Sequence, residues 1–156
     1  MLVFFLSLRH NIAMETQKEE TEQEKIERYI NHWVGSSNRN FDTMLSNYKT
    51  KNYDWALYIG HLVLEKLFKA ILVKRTQKSD VVHTHNLIKL ALKCGIELTD
   101  EKVTILNTIN SFCIEARYDD IKNAFYKLCT REFADEQIKI IKEQRQWLKD
   151  ELAKNC

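Results

Sequence analysis

Proline is missing from the chain altogether, and glycine occurs only three times in 156 residues. Sandwiches and barrels use both residues in their turns, whereas helices tolerate little of either. These absences point to an all-α protein before any pattern is read. There is no CxxC pair, and the four cysteines, Cys94, Cys113, Cys129 and Cys156, show no regular spacing. A disulfide framework or a zinc site is therefore not expected, and the cysteines read as reduced thiols of a cytoplasmic protein. An excess of one charge is lacking too: the net charge of +2 is too small to announce a nucleic-acid binder by itself. The N-terminal MLVFFLSLRH is apolar but falls far short of the ~20 residues that span a bilayer. It also lacks the basic start and small-residue cleavage site of a signal peptide. Polar sequence opens at Met14, so one explanation of residues 1–13 is an upstream translation extension, with the start at Met1 or at Met14 left open by the sequence. The expected organisation is an N-terminal extension over 1–20 and one helical domain over 21–154.

What is present is helical periodicity. Ile26, Ile30, Trp33, Phe41, Met44 and Tyr48 stay in phase at 100° per residue across Gly35-Ser36-Ser37, with Ser37 on the same stripe. The pattern predicts one helix from about Thr21 to Lys49, in which the glycine and the serines let a neighbouring helix come close. A Lys51-Asn52-Tyr53 turn leads into DWALYIGHLVLEKLFKAILVKR (Asp54–Arg75), with Asp54 as its N-terminal acid or cap. So short a turn makes the two helices antiparallel. The second is apolar on more sides than the roughly 100° stripe of a surface helix. It is expected at the centre, with Leu64, Leu67, Phe68 and Ile71 buried. After a polar link, Thr76 to His83, a short helix should run from His85-Asn86 to Lys93, closed by Gly95. Thr99 caps the next, with Val103, Leu106, Ile109, Phe112, Cys113 and Ala116 inward. A short helical turn follows around Ile121–Leu128. Thr130 opens the last helix, with Ala134, Ile138, Ile141, Leu148 and Leu152 inward. The sum is a four- to five-helix up-and-down bundle.

The polar residues of the central helix are not scattered. Asp54, His61, Glu65 and Lys69 are spaced by seven, four and four, which sets them on one strip. The expectation is a solvated strip with an ordinary i,i+4 Glu65–Lys69 pair worth a few tenths of a kcal/mol. The alternative is a polar line facing a groove or a partner subunit. From Lys66 to Lys93 lie seven basic residues (Lys66, Lys69, Lys74, Arg75, Lys78, Lys89, Lys93) and one acid, Asp80, with His83 and His85 in the same span. Such a cluster can be the electrostatic footprint of RNA or a nucleotide phosphate. It contains no aromatic stacking residues, so a solvated loop between two polar helix faces is the simpler expectation. His83-Thr84-His85 has a spacing that metals use, but no third ligand is in view, and neither a metal nor a cofactor is expected.

Three stretches, in order, resemble a known family. YDWALYIGHLVLEKLFKAILV (Tyr53–Val73), HTHNLIKLA (His83–Ala91) and EARYDD (Glu115–Asp120) are similar to the HEPN domain's Ala…Glu-Lys…Lys-Ala central helix, its His-x-Leu helix start and its Ala-Arg-Tyr segment. The resemblance implies a helical up-and-down bundle, commonly homodimeric. Members serve as nucleotide- or RNA-associated modules, as partners of small nucleotidyltransferases in toxin–antitoxin pairs, or as metal-independent ribonucleases. The ribonuclease branch carries an Arg and, after four to six intervening residues, a His. Here the matching Arg is Arg117, the His positions hold Lys122, Asn123 and Ala124, and no His occurs after His85. The acid–base group needed for cleavage at a 2′-hydroxyl is missing from the motif. The resulting expectation is a non-catalytic HEPN-like homodimer that binds a nucleotide, RNA or a nucleotidyltransferase partner and does not engage a membrane. Arg117, Lys69, Lys78, His83 and His85 are its candidate phosphate contacts; Arg117 is equally able to pair with Glu115, Asp119 or Asp120. The alternative is a divergent ribonuclease in which Arg117 works with a His from elsewhere, such as His61.

Overall fold

The computed structural model describes residues 19–79, 83–115 and 119–154. Among them are six helices and no strand: α1 (Glu22–Lys49), α2 (Tyr53–Thr76), α3 (Leu87–Lys93), α4 (Asp100–Glu115), α5 (Asp119–Leu128) and α6 (Arg131–Ala153). None of the described helices is long and apolar enough to cross a membrane.

Local chemistry sets the ends. Thr21 caps α1 in a reciprocal box: its hydroxyl accepts the Glu24 N–H and the Glu24 carboxylate accepts the Thr21 N–H. The helix then runs unbroken through Gly35. It closes with Lys51 in the left-handed region at φ 63°, while the Asn52 N–H reaches the Asn47 carbonyl and the Lys51 N–H that of Tyr48. Asp54 lies in the first turn of α2 behind Asn52, so it favours the helix as an acid near the N-terminus and not as the cap. Asn86, Thr99 and Thr130 cap α3, α4 and α6 by accepting the N–H three residues on. Gly95, at φ 68°, ends α3 with the same double hydrogen-bond pattern that ends α1.

The α1–α2 pairing is antiparallel. The Lys69 ammonium sits over the Trp33 ring, Lys66 donates to the Ser36 hydroxyl at 2.7 Å, and Ser37 donates to the Val63 carbonyl at 2.8 Å. Ser37 is fully buried, as its place on the apolar stripe predicts. Gly35 is not the point of close approach. A Cβ there meets nothing nearer than Arg39 at 3.5 Å, whereas one at Gly60 would stand 2.6 Å from Ile141 Cδ1 and 3.1 Å from Met44 Sδ. The tight crossing therefore lies at Gly60, where α1 and α6 both press on α2.

α2 packs against each of the other five helices. Leu64, Leu67, Phe68 and Ile71 are buried as expected, within a core that also takes Leu106, Ile109 and Phe112 from α4 and Ile138, Ile141 and Leu148 from α6. Val103 is half-buried instead, and Ala116 lies outside the described residues. At the far end of α2, Arg75 donates to the Cys94 carbonyl and to Glu151, both at 2.7 Å, and Lys74 donates to the Leu152 and Lys154 carbonyls. These contacts tie α3 and α6 to the end of the central helix. α5 is a full helix of ten residues where the sequence suggests only a turn. Phe125 is its anchor, stacked on Phe112 with ring centroids 5.7 Å apart, while Tyr126 and Leu128 face outward.

Two substitutions check this arrangement by urea unfolding. Leu67→Ala should cost about 2–5 kcal/mol, as truncations of core leucines do; a loss under about 0.5 kcal/mol would remove α2 from the centre. Gly35→Ala makes only an ordinary contact with the flexible Arg39 side chain in a helix interior and should instead add about 0.5–1 kcal/mol.

Candidate functional site

The polar strip of α2 is buried. His61, Glu65 and Lys69 are 0, 4 and 8% exposed, so the expected solvated strip is overturned. Spacing sets these residues on one line, but it cannot show that Trp33 of α1 and the segment leading into α3 fold over that line. Asp54 is also buried, but it lies about 16 Å before Glu65 along the helix at 1.5 Å per residue and does not join the cluster. It lies instead near Cys129, whose thiol is pushed up to about 12 by burial, with the charges of Asp54 and Glu115 adding to the effect.

Glu65 is the hub. Its Oε1 accepts from Lys69 Nζ at 2.7 Å, and His85 Nδ1 lies 3.2 Å from Oε1 and 3.1 Å from Oε2. Burial pushes the Glu65 carboxyl up. Hydrogen bonds from Lys69 and His85, with the Lys69 charge, outweigh that push and hold it below its ordinary value. An ionised carboxylate only accepts, so His85 Nδ1 carries the proton. The Lys69 ammonium also rests 5.0 Å from the centre of the Trp33 ring. This is no surface pair: removing one partner would strand a buried charge at a cost of about 3–5 kcal/mol.

His61 holds the same segment by its backbone. Its Nε2 lies 2.9 Å from the His85 carbonyl, which can only accept, so Nε2 bears the hydrogen. Burial drives the pKa of His61 down against the opposing pull of the Glu65 charge and keeps the ring neutral. From α4, Asn110 accepts the Leu87 N–H at 2.9 Å and thereby fixes the start of α3. Between these supports lies a cleft of about 320 Å³. One wall is His83, Thr84, His85 and Asn86; the other is Asn110, Cys113 and Ile114 on α4.

The structure divides the candidate residues. His83, His85 and Lys78 are exposed, and the two imidazoles share the cleft. Lys69 is committed to Glu65 and is not a surface contact. Of the other basic residues in the span, Lys66, Lys74 and Arg75 are engaged within the fold, while Lys89 and Lys93 are exposed. Arg117 lies outside the described residues. His61, fully buried and bonded to the His85 carbonyl, has no surface from which to reach a substrate. Among the described residues no three His, Cys, Asp or Glu side chains gather in a metal-binding geometry. Asn110 was not singled out by the sequence; a lone Asn in a helix gives no signal that it caps the start of another.

A sequence profile of the HEPN domain matches residues 30–152, and the chain belongs to that family. Its fold is similar to that of TT1696 from Thermus thermophilus, with a TM-score of 0.64 at 16% identity over 78% of this chain and 97% of that one. It is also similar to ST0689, an archaeal HEPN homologue, with a TM-score of 0.56 at 18% identity over 79% of this chain and 97% of that one. No curated protein matches the chain. At these identities the two structures bear on the fold alone.

The buried cluster makes stability depend on pH in one direction. His61 is held below its ordinary pKa, so the unfolded chain binds a proton that the folded protein refuses. Its contribution is complete above about pH 6.5 and declines below that by up to ~1.4 kcal/mol per pH unit. Glu65, also lowered, adds a further loss below its ordinary value of 4.5. Urea unfolding between pH 7 and pH 5.5 should therefore show a smaller decline for His61→Asn than for the unaltered protein. Equal declines would contradict the assignment.

Proposed function

We propose that the chain is a HEPN module that binds the phosphates of a nucleotide or an RNA strand without cutting them, and that it works as a pair of identical copies. The observation that carries this reading is His85, exposed in the cleft with its ring held by a buried carboxylate. Lys78 and Lys89 are exposed on either side of it in sequence. Cations and imidazoles on one link-and-helix segment are the chemistry that phosphate oxygens take. Cleavage is disfavoured because the position after Arg117 that would hold the acid–base His does not, and because His61 is sealed inside the bundle. Exposed Trp55, Tyr126 and Leu128 offer apolar surface for self-association.

The test is labelled RNA incubated with the purified protein in the presence of a chelator. The expected result is intact RNA, bound weakly and with steep dependence on salt, because each neutralised phosphate releases counterions. Lys78→Ala should weaken binding modestly and lower the log–log salt slope by about 0.9. Cleavage abolished by Arg117→Ala in folded protein would overturn the reading, as would tight binding indifferent to salt.

A further inference from the structure

We propose that the cleft between residues 83–86 and α4 is a phosphoryl-group site in which His85 Nε2–H is the donor, the imidazolium is the binding form, and Glu65 and His61 are positioning residues. This rests on the phosphate-binding reading above and places the phosphoryl group at one point of that surface.

His85 Nδ1 is committed to both oxygens of Glu65, so Nε2 alone is left to meet a ligand. The side chain is 56% exposed and lines the cleft, so that nitrogen is within reach of solvent-borne partners. Its position is fixed twice over from α2: Glu65 holds the ring, and His61, one turn earlier, holds the carbonyl of the same residue at 2.9 Å. Asn110 then pins the next peptide, at Leu87. A contact held this firmly loses little freedom on binding.

Charge selects the ligand. Among the described residues the cleft is lined by two imidazoles and by no carboxylate. Glu65 stands behind the ring and is answered by Lys69 at 2.7 Å, so its charge is not presented to the cleft. Among the described residues, the titratable groups around the His85 ring are Glu65, with His61 and Lys69 beside it on α2, His83 on the ring's own segment, and Cys113 on α4. With Nδ1 already a donor, a neutral ring offers a lone pair at Nε2, which repels phosphate oxygens, whereas the imidazolium offers an N–H, which binds them. Ile114, 54% exposed, gives the opposite wall an apolar face for the group that carries the phosphate.

Fluorescence anisotropy with a 3′-labelled oligoribonucleotide, either 5′-phosphorylated or 5′-hydroxyl, tests this across pH 5.5 to 8.5 at constant low salt. Inorganic phosphate serves as competitor, and circular dichroism checks the fold at each pH. The unaltered protein should bind about ten- to a hundredfold more weakly at the upper end, the size of a lost charge-assisted contact. His85→Gln keeps a donor that does not titrate; it should bind with only the residual pH dependence of the RNA itself. His85→Ala should lose the pH-dependent part at every pH. Preference for the 5′-phosphorylated strand would assign the site to a terminal phosphate, and equal binding to an internal phosphodiester. If His85→Ala keeps wild-type affinity and pH dependence, the cleft assignment is overturned while the broader binding reading stands. If the unaltered protein binds neither strand at any pH, both are overturned. Should the variants fail to fold, phosphate titration of the unaltered protein decides: the His85 ring resonances must move, and a fixed His85 signal sinks the proposal.

Discussion

A carboxylate at the centre of a helical bundle has to be answered in place, and much of this structure follows from how Glu65 is answered. Desolvation alone costs an ionised group several kcal/mol. Lys69, one turn along the same helix, supplies the counter-charge, and His85 supplies a second donor from a segment twenty residues away. Trp33 closes over the Lys69 ammonium from α1. The polar group therefore ties together three parts of the chain that the apolar core alone would leave free to slide. A satisfied buried network of this kind specifies one arrangement, and the same low dielectric that makes it costly to break makes each contact stronger while it lasts.

The site inherits its order from the core. α2 sends its apolar residues to the other helices and its polar line to the 83–87 segment, so the cleft is built on the most buried helix of the protein. That segment has no regular structure ahead of Asn86, yet its carbonyl at His85, its ring at His85 and its peptide at Leu87 are all held. An irregular stretch anchored by a rigid helix is where recognition residues commonly sit, because the scaffold supplies the precision that a loop lacks.

The helical architecture was legible because its signals are local. Thr21 with Glu24, Thr99, Thr130 and Gly95 mark helix ends through groups within a few residues of each other, and the in-phase stripe across Gly35-Ser36-Ser37 correctly kept α1 whole. Three features were not legible. α5 is a full helix packed on the core through Phe125, the close crossing falls at Gly60 rather than Gly35, and the α2 strip faces inward. Each of these depends on what another part of the chain places opposite. The line of His61, Glu65 and Lys69 was visible from spacing, and His85 was visible as a helix-start residue. Nothing in the sequence said that the second lies on the first. Arg117, the residue that the family resemblance pointed to most directly, is outside the described residues.

Glu65 holds the His85 ring by Nδ1, and the ring nitrogens report on that directly. Nitrogen-15 spectra of the histidine side chains in the unaltered protein at pH 8.5 would show which ring nitrogens carry a hydrogen. His85 should be the Nδ1–H tautomer, set by the Glu65 carboxylate, and His61 the Nε2–H tautomer, set by the His85 carbonyl. A His85 ring protonated on Nε2 at that pH would contradict the account at its centre.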